Sequence, residues 1–86
     1  MFLHLGQDIV VRFSDIVGIF DMDNTTISKN TRNFLSRSER RREVINVSYE
    51  LPKSFILCNE NKKNKVYISQ ISSSTLQKRA ELKDIL

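Results

Sequence analysis

The residues of this 86-residue chain with the clearest chemical potential sit together at Asp21-Met22-Asp23-Asn24-Thr25-Thr26, directly after the apolar run Ile16-Val17-Gly18-Ile19-Phe20. Two carboxylates one residue apart at the end of an apolar strand suit a magnesium-dependent phosphatase, in which one attacks phosphorus and the next handles the proton and the metal. That chemistry also needs a Ser or Thr, a Lys and a second pair of acids brought in from distant strands to fix metal and phosphoryl group. Beyond Thr26, Glu39, Glu43, Glu50, Glu60, Glu81 and Asp84 are scattered singly. The stretch also fails as a calcium loop, because Thr26 stands where the sharp-turn glycine belongs and Arg32 where the closing bidentate Glu should be. A helix cap accounts for Asp21, Asp23 and Asn24 without any chemistry. One cysteine, Cys58, and one histidine, His4, cannot assemble a four-ligand zinc site or an internal disulfide. Cys58 beside Phe55-Ile56-Leu57 reads as a small buried hydrophobe, and His4 between Leu3 and Leu5 as a structural member of a first strand. The expectation is a chain that is not an enzyme, with no catalytic residue, no metal, no cofactor and no small-molecule substrate.

The basic residues say more. Net charge is +4 with a pI near 9.5, a balance that favours a polyanionic partner. Arg37-Ser38-Glu39-Arg40-Arg41-Arg42 places four guanidinium groups against one carboxylate in six residues. Guanidinium forks match phosphate oxygens, so this run can follow a nucleic-acid backbone. Lys53 beside Pro52, the lysines 62, 63 and 65, and Lys78 with Arg79 are smaller basic groups. The candidate set for phosphate contacts is Arg37, Arg40, Arg41, Arg42, Lys53, Lys78 and Arg79, and the expected partner is double-stranded DNA. The plain structural alternative is a solvated charge run and a lysine-protected sheet edge. No recognition-helix pattern, zinc finger or aromatic pair of an RNA-binding sheet stands out, and Tyr49 and Tyr67 read as core-edge residues. Specificity would then come from DNA shape and from several copies of the domain acting together. The competing functional class is an adaptor module whose same charges meet an acidic protein partner.

These groups need a scaffold, and the pattern along the chain supplies one. Phe2 to Leu5 and Asp8 to Phe13 read as short strands joined through Gly6-Gln7, and Asp15 to Phe20 as a third strand buried on both faces. Ile27, Thr31, Phe34 and Leu35 fall at helical spacing, with Lys29, Arg32, Ser36 and Arg40 on the opposite side, and this helix should end between Ser38 and Arg41. Ile45, Val47 and Tyr49 alternate with Asn46 and Ser48, a half-buried strand that Pro52 stops. Ser54 to Cys58 and Lys65 to Ile71 flank a polar connection, residues 59–64, as a hairpin with a longer loop. Ser74 and Gln77 have capping-box spacing ahead of a short last helix carrying Lys78, Arg79 and Lys83. The expected fold is a small α+β domain, mainly antiparallel sheet with one central and one C-terminal helix, spanning residues 1–86.

A domain of this size has a thin core, burying about 60% of the surface that its unfolded chain exposes. Apolar segments such as IVGIF and SFILC, with few helical residues to cover them, point to a homo-oligomer, of which a ring is one form. The N-terminus has no basic region ahead of its apolar residues and carries Asp8 within them, and no apolar run approaches the roughly 20 residues of a membrane span. A cytoplasmic location without membrane contact is expected.

Three segments, MFLHLGQDIVVRFSDIVGIFD (1–21), PKSFILC (52–58) and SSSTLQKRA (72–80), together resemble the bacterial extracellular-matrix regulatory proteins of the RemA/RemB type. The resemblance covers roughly half of the chain and is weaker between Met22 and Leu51. It implies a small cytoplasmic α+β protein that binds DNA, forms a higher-order homo-oligomer and activates genes for biofilm matrix, with no catalytic residue. In the RemA branch a loop after a Tyr carries paired arginines that contact DNA. The corresponding Tyr49-Glu50-Leu51-Pro52-Lys53 here has only Lys53, so either the Arg40-Arg41-Arg42 run supplies the charge or this branch does something else.

Overall fold

The computed structural model describes residues 1–22 and 28–85, with side chains as far as residue 81. The chain opens with an antiparallel hairpin of β1 (Phe2–Gly6) and β2 (Ile9–Arg12). Strand alternation turns Leu3, Leu5 and Val11 inward, while Phe2, His4, Val10 and Arg12 stay exposed. The exposed His4 ring donates through Nε2 to the Gln7 carbonyl at 2.6 Å, closing the turn. Gly6 takes φ +125°, a backbone conformation that calls for glycine, and a Cβ there would come within 2.9 Å of the end of the Gln70 side chain.

After a 3₁₀ turn over Phe13–Asp15 come β3 (Ile16–Asp21), α1 (Lys29–Arg40), β4 (Val44–Asn46), β5 (Ser54–Glu60), β6 (Lys63–Ser69) and α2 (Ser73–Ile85). The four later strands form a sheet in the order β3-β5-β6-β4, antiparallel except for the parallel pair of β4 with β6. This is the expected α+β fold. β3 and β4 lie on opposite edges and α1 connects them, so the helix must cross one face of the sheet.

Register assigns the two faces. Ile19, Ile56, Tyr67 and Ile45 form one row across all four strands, and with Cys58 and Val47 they pack against Leu3, Leu5 and Val11 of the hairpin and Leu76 of α2. This is the core. The opposite face carries the row Phe20, Phe55, Ile68 and Asn46. There Phe55 stacks on Phe20 with ring centroids 4.8 Å apart and meets Phe34 of α1 at 6.5 Å. Gly18 makes room for the Phe20 ring, since a Cβ at residue 18 would lie 2.7 Å from it.

Several local expectations change. The third strand is not buried on both faces: Val17 is 63% and Phe20 44% exposed, because β3 is an edge strand whose register shift between Ile16 and Gly18 leaves Val17 unpaired with β5, and α1 covers only part of the Phe55 face on which Phe20 lies. Asp21 is the last residue of β3, paired with Ser54, and it is Ser28 that caps α1, accepting from the Thr31 amide at 3.1 Å. Asp23, Asn24 and Ile27 lie outside the described residues. Tyr67 is buried as expected, but Tyr49 is wholly exposed, because the chain leaves the sheet after Val47 and turns at Ser48, whose hydroxyl accepts from the Glu50 amide at 3.1 Å.

The polar connection after β5 is not a longer loop. Asn61 and Lys62 make a two-residue turn with φ of 53° and 67°, a left-handed pair whose twist matches that of the flanking strands. Asn59 and Asn64 pair across it, Nδ2 to Oδ1 at 3.1 Å. The hairpin tip projects past the core, so its strand residues can be polar on both faces. Finally, Ser72 rather than Ser74 caps α2, accepting from the Thr75 amide on its hydroxyl and from the Leu76 amide on its carbonyl.

Candidate nucleic-acid interface

Helix α1 sets the first part of the basic surface. Thr31, Phe34, Leu35 and Ser38 turn towards the sheet, and Lys29, Arg32, Asn33, Ser36, Arg37 and Arg40 stay exposed. Arg37 and Arg40 lie in the last turn, where positive charge meets the negative end of the helix dipole. With Asn30, Asn33 and Ser36 they line a shallow polar cleft of about 670 Å³ on the outer helix face.

The helix ends in a Schellman motif. The Arg42 amide donates to the Glu39 carbonyl at 3.0 Å and the Glu43 amide to the Ser38 carbonyl at 2.9 Å, the two reversed bonds that define this stop. Arg42 takes the left-handed position of that motif at φ 59°. The Glu43 carbonyl then accepts from the Val66 amide at 2.8 Å, which starts the parallel pairing of β4 with β6. Because Val44 pairs with Val66, the residues just before β4 stand beside those that open β6. Arg41 and Arg42 thereby meet Lys62, Lys63 and Lys65 around one open cleft of about 410 Å³. Lys65 is engaged by Glu60 at 3.2 Å, and the other oxygen of Glu60 accepts from the Tyr67 hydroxyl at 2.7 Å. A small cleft lined by Phe34, Arg37, Ser38, Arg41, Glu43 and Asn64 lies next to it, sharing Arg41, Glu43 and Asn64 with this cleft and Arg37 with the one on α1.

The candidates from the sequence therefore separate into three places. Arg37, Arg40, Arg41 and Arg42 share one surface. Lys53 is at the far end of β5, its amide on the Ser69 carbonyl and its carbonyl taking the Met22 amide. Seven strand residues separate it from the β5–β6 turn, about 23 Å at the usual rise. Lys78 and Arg79 ride on α2, which packs against the sheet face opposite α1, and the Arg79 guanidinium donates to the His4 carbonyl at 3.1 Å. Lys62 and Lys63, left out of the candidate set, belong beside Arg41 and Arg42. Sequence offered their charge but not their neighbour, because only the parallel β4–β6 register brings the two turns together. The loop after Tyr49 projects Tyr49, Glu50, Leu51 and Lys53 into solvent.

Titratable groups in the interior are held neutral. Burial, then the charges of Glu60 and Asp15, push the Cys58 thiol up to about 12. Burial first, and then its hydrogen bond to Glu60, raise Tyr67 well above the ordinary phenol range. Such a thiol is a poor nucleophile. Among the described residues, no group of three or more His, Cys, Asp or Glu side chains converges as a metal site. Nor is any described helix long and apolar enough to cross a membrane.

Similarity to known proteins extends over most of the chain. The family described as RemA-like, "Extracellular matrix regulatory protein A-like", matches residues 2–80. The chain is also similar to "Extracellular matrix regulatory protein B" of Bacillus subtilis (strain 168), with 40% identity over 81 residues, 94% of this chain and 91% of that protein. The match therefore takes in α1 and the Arg37–Arg42 run as well as the two ends.

Proposed function

This chain belongs to the RemA-like family of extracellular matrix regulatory proteins, and from that premise we propose that it is a non-enzymatic, oligomeric, cytoplasmic regulator that binds duplex DNA by its phosphates and controls extracellular-matrix genes. The observation that carries this reading is the continuous basic surface from the outer face of α1, through Arg41 and Arg42, to the turn lysines of the β5–β6 hairpin. Guanidinium and ammonium groups so spread suit a repeating anion, and their contacts give affinity without reading base edges. An oligomer supplies what one copy lacks: several such surfaces on one DNA, and cover for Val17 and Phe20 on the β3 edge beside the open apolar groove lined by Phe34, Phe55 and Leu57.

The test is a titration of the purified protein into labelled duplexes, one AT-rich and one GC-rich, followed by fluorescence anisotropy at low and physiological salt. A protein neutralising 6 to 10 phosphates loses about 10³ to 10⁵ in affinity between 50 and 200 mM salt. Replacing Arg40, Arg41 and Arg42 together by Ala should weaken binding to both duplexes alike. No binding at low salt would reject the reading and turn attention to an acidic protein as the partner of the same charges.

A further inference from the structure

Four described residues other than glycine hold a left-handed backbone: Gln7, Arg42, Asn61 and Lys62. For an L-residue with a long side chain this conformation is strained by the approach of Cβ to the backbone, and only Gly, Asn and Asp enter it readily. Arg42 occupies the Schellman position that is usually glycine, and Lys62 the second position of a turn where glycine commonly follows Asn. Each is a departure from the residue that local structure favours. The two turns come from separate parts of the chain, depart from glycine in the same chemical direction, and meet at one cleft.

The lining of that cleft is informative about the occupant. Five cations, Arg41, Arg42, Lys62, Lys63 and Lys65, face one lining acid, Glu43. Since Lys65 is engaged by Glu60, the other four are the ones available. They come from two turns of the chain, and the described lining holds no aromatic anchor of the kind that protein interfaces centre on. Cations brought from two turns to one open cleft suit the repeating charge of a phosphate backbone.

We propose that this cleft is a phosphate clamp for duplex DNA, formed by Arg41 and Arg42 of the α1 stop together with Lys62 and Lys63 of the β5–β6 turn, with Arg42 and Lys62 kept on left-handed backbone for that purpose. The proposal rests on the DNA-binding reading and narrows it, because Lys53, Lys78 and Arg79 then lie outside the clamp. Strained backbone at an unforced position is a mark of functional sites, and here it makes the function separable from the fold.

Arg42→Gly, Lys62→Gly and the double variant test it by two readouts, thermal melting and the salt dependence of anisotropy with the same labelled duplexes. Glycine relieves the backbone, so melting temperature should hold or rise. The slope of log affinity against log salt should fall by about 0.9 for each phosphate that the variant no longer neutralises. Lys53→Gln with Lys78→Gln and Arg79→Gln should leave the slope where it was. The clamp is overturned if the glycine variants keep the full slope while the glutamine variant loses it, an outcome that leaves DNA binding itself intact. It is equally overturned if the glycine variants melt markedly lower, since the two cations would then be structural. Absence of binding by the unaltered protein at low salt overturns the DNA reading and the clamp with it.

Discussion

On one face of the β3-β5-β6-β4 sheet, Ile56 and Cys58 are sealed under the β1–β2 hairpin and Leu76; on the other, α1 covers Phe55 but leaves Phe20 half open at the edge. The covered face has two segments of its own chain over it, the β1–β2 hairpin and α2, from opposite ends of the sequence. The half-covered face has one 12-residue helix, about 18 Å long, which must also carry the basic surface on its outer side. One face therefore holds the fold together, and the other has its apolar residues and its charges distributed for contact with something else.

The contrast breaks if the two faces cost the same to damage. Ile56→Ala removes a fully buried side chain from the central strand β5 and should destabilise by about 2 to 5 kcal/mol in urea unfolding. Phe20→Ala gives up the stacking on Phe55, but it starts from a half-exposed ring on an edge strand. It should cost under about half as much in dilute, monomeric protein. Equal losses would mean that the Phe20 face is a second core.

How much of this division can be read from the chain depends on how local its causes are. β1 and β2 are legible because Leu3, Leu5 and Val11 alternate with polar or exposed positions, and SFILC reads as a strand because it is continuously apolar. The half-exposure of Val17 and Phe20 is not legible, since the IVGIF run would be identical in a central strand; its place at the edge is a property of the strand order. Three consecutive serines, Ser72 to Ser74, are all competent caps, and the choice of Ser72 is made by the burial of Leu76 in the core. At the hairpin tip, polarity suggests a loop only because the core that would make strand residues apolar does not reach there. The meeting of Arg41 and Arg42 with Lys62 and Lys63 requires a parallel pairing between strands that β5 separates in sequence, which no local pattern encodes.

Alkaline titration sharpens the same contrast through Cys58 and Tyr67 on the sealed face. The thiol ionises near 9.0 when free and is pushed up to about 12 in the fold. Above pH 9 the unfolded chain therefore binds fewer protons than the folded one, and stability falls as pH rises towards 12. The slope for this group is about 1.4 kcal/mol per pH unit while the thiol is ionised only in the unfolded chain. Tyr67 is raised in the same direction and adds to the loss above its ordinary value of 10.0. Cys58→Val should flatten the onset, measured as urea midpoints from pH 8 to 10.5, and the native thiol should resist a thiol reagent at pH 8. Ready labelling without loss of structure would show that the face is open.

A smaller effect is expected at the join between hairpin and sheet. The register shift in β1 leaves the Leu5 carbonyl free of the ladder, and the buried Ser69 hydroxyl donates to it at 2.6 Å while accepting from the Ile71 amide at 3.0 Å. Ser69→Ala strands a buried carbonyl and an amide, a loss of about 1 to 3 kcal/mol. A Ser69→Ala protein as stable as the original would mean that water reaches this seam and that the hairpin does not seal the face.

The smallest effect on stability is expected at the β3 edge, and there it carries the most information about assembly. Val17 is largely exposed on the β3 edge, so Val17→Lys removes little burial and introduces a charge that water can solvate; the folding free energy should stay within about 0.5 kcal/mol. An edge strand with an apolar surface is nevertheless a ready pairing site for another chain, and a lysine placed on it opposes that pairing. Light scattering at micromolar concentration should then report a smaller assembly for Val17→Lys than for the unaltered protein, with both folded to the same extent. If the unaltered protein is already monomeric, the β3 edge is not an assembly surface and multivalent binding loses its basis. If both form the same oligomer, copies meet elsewhere, and the exposed loop with Tyr49 and Leu51 becomes the next surface to charge.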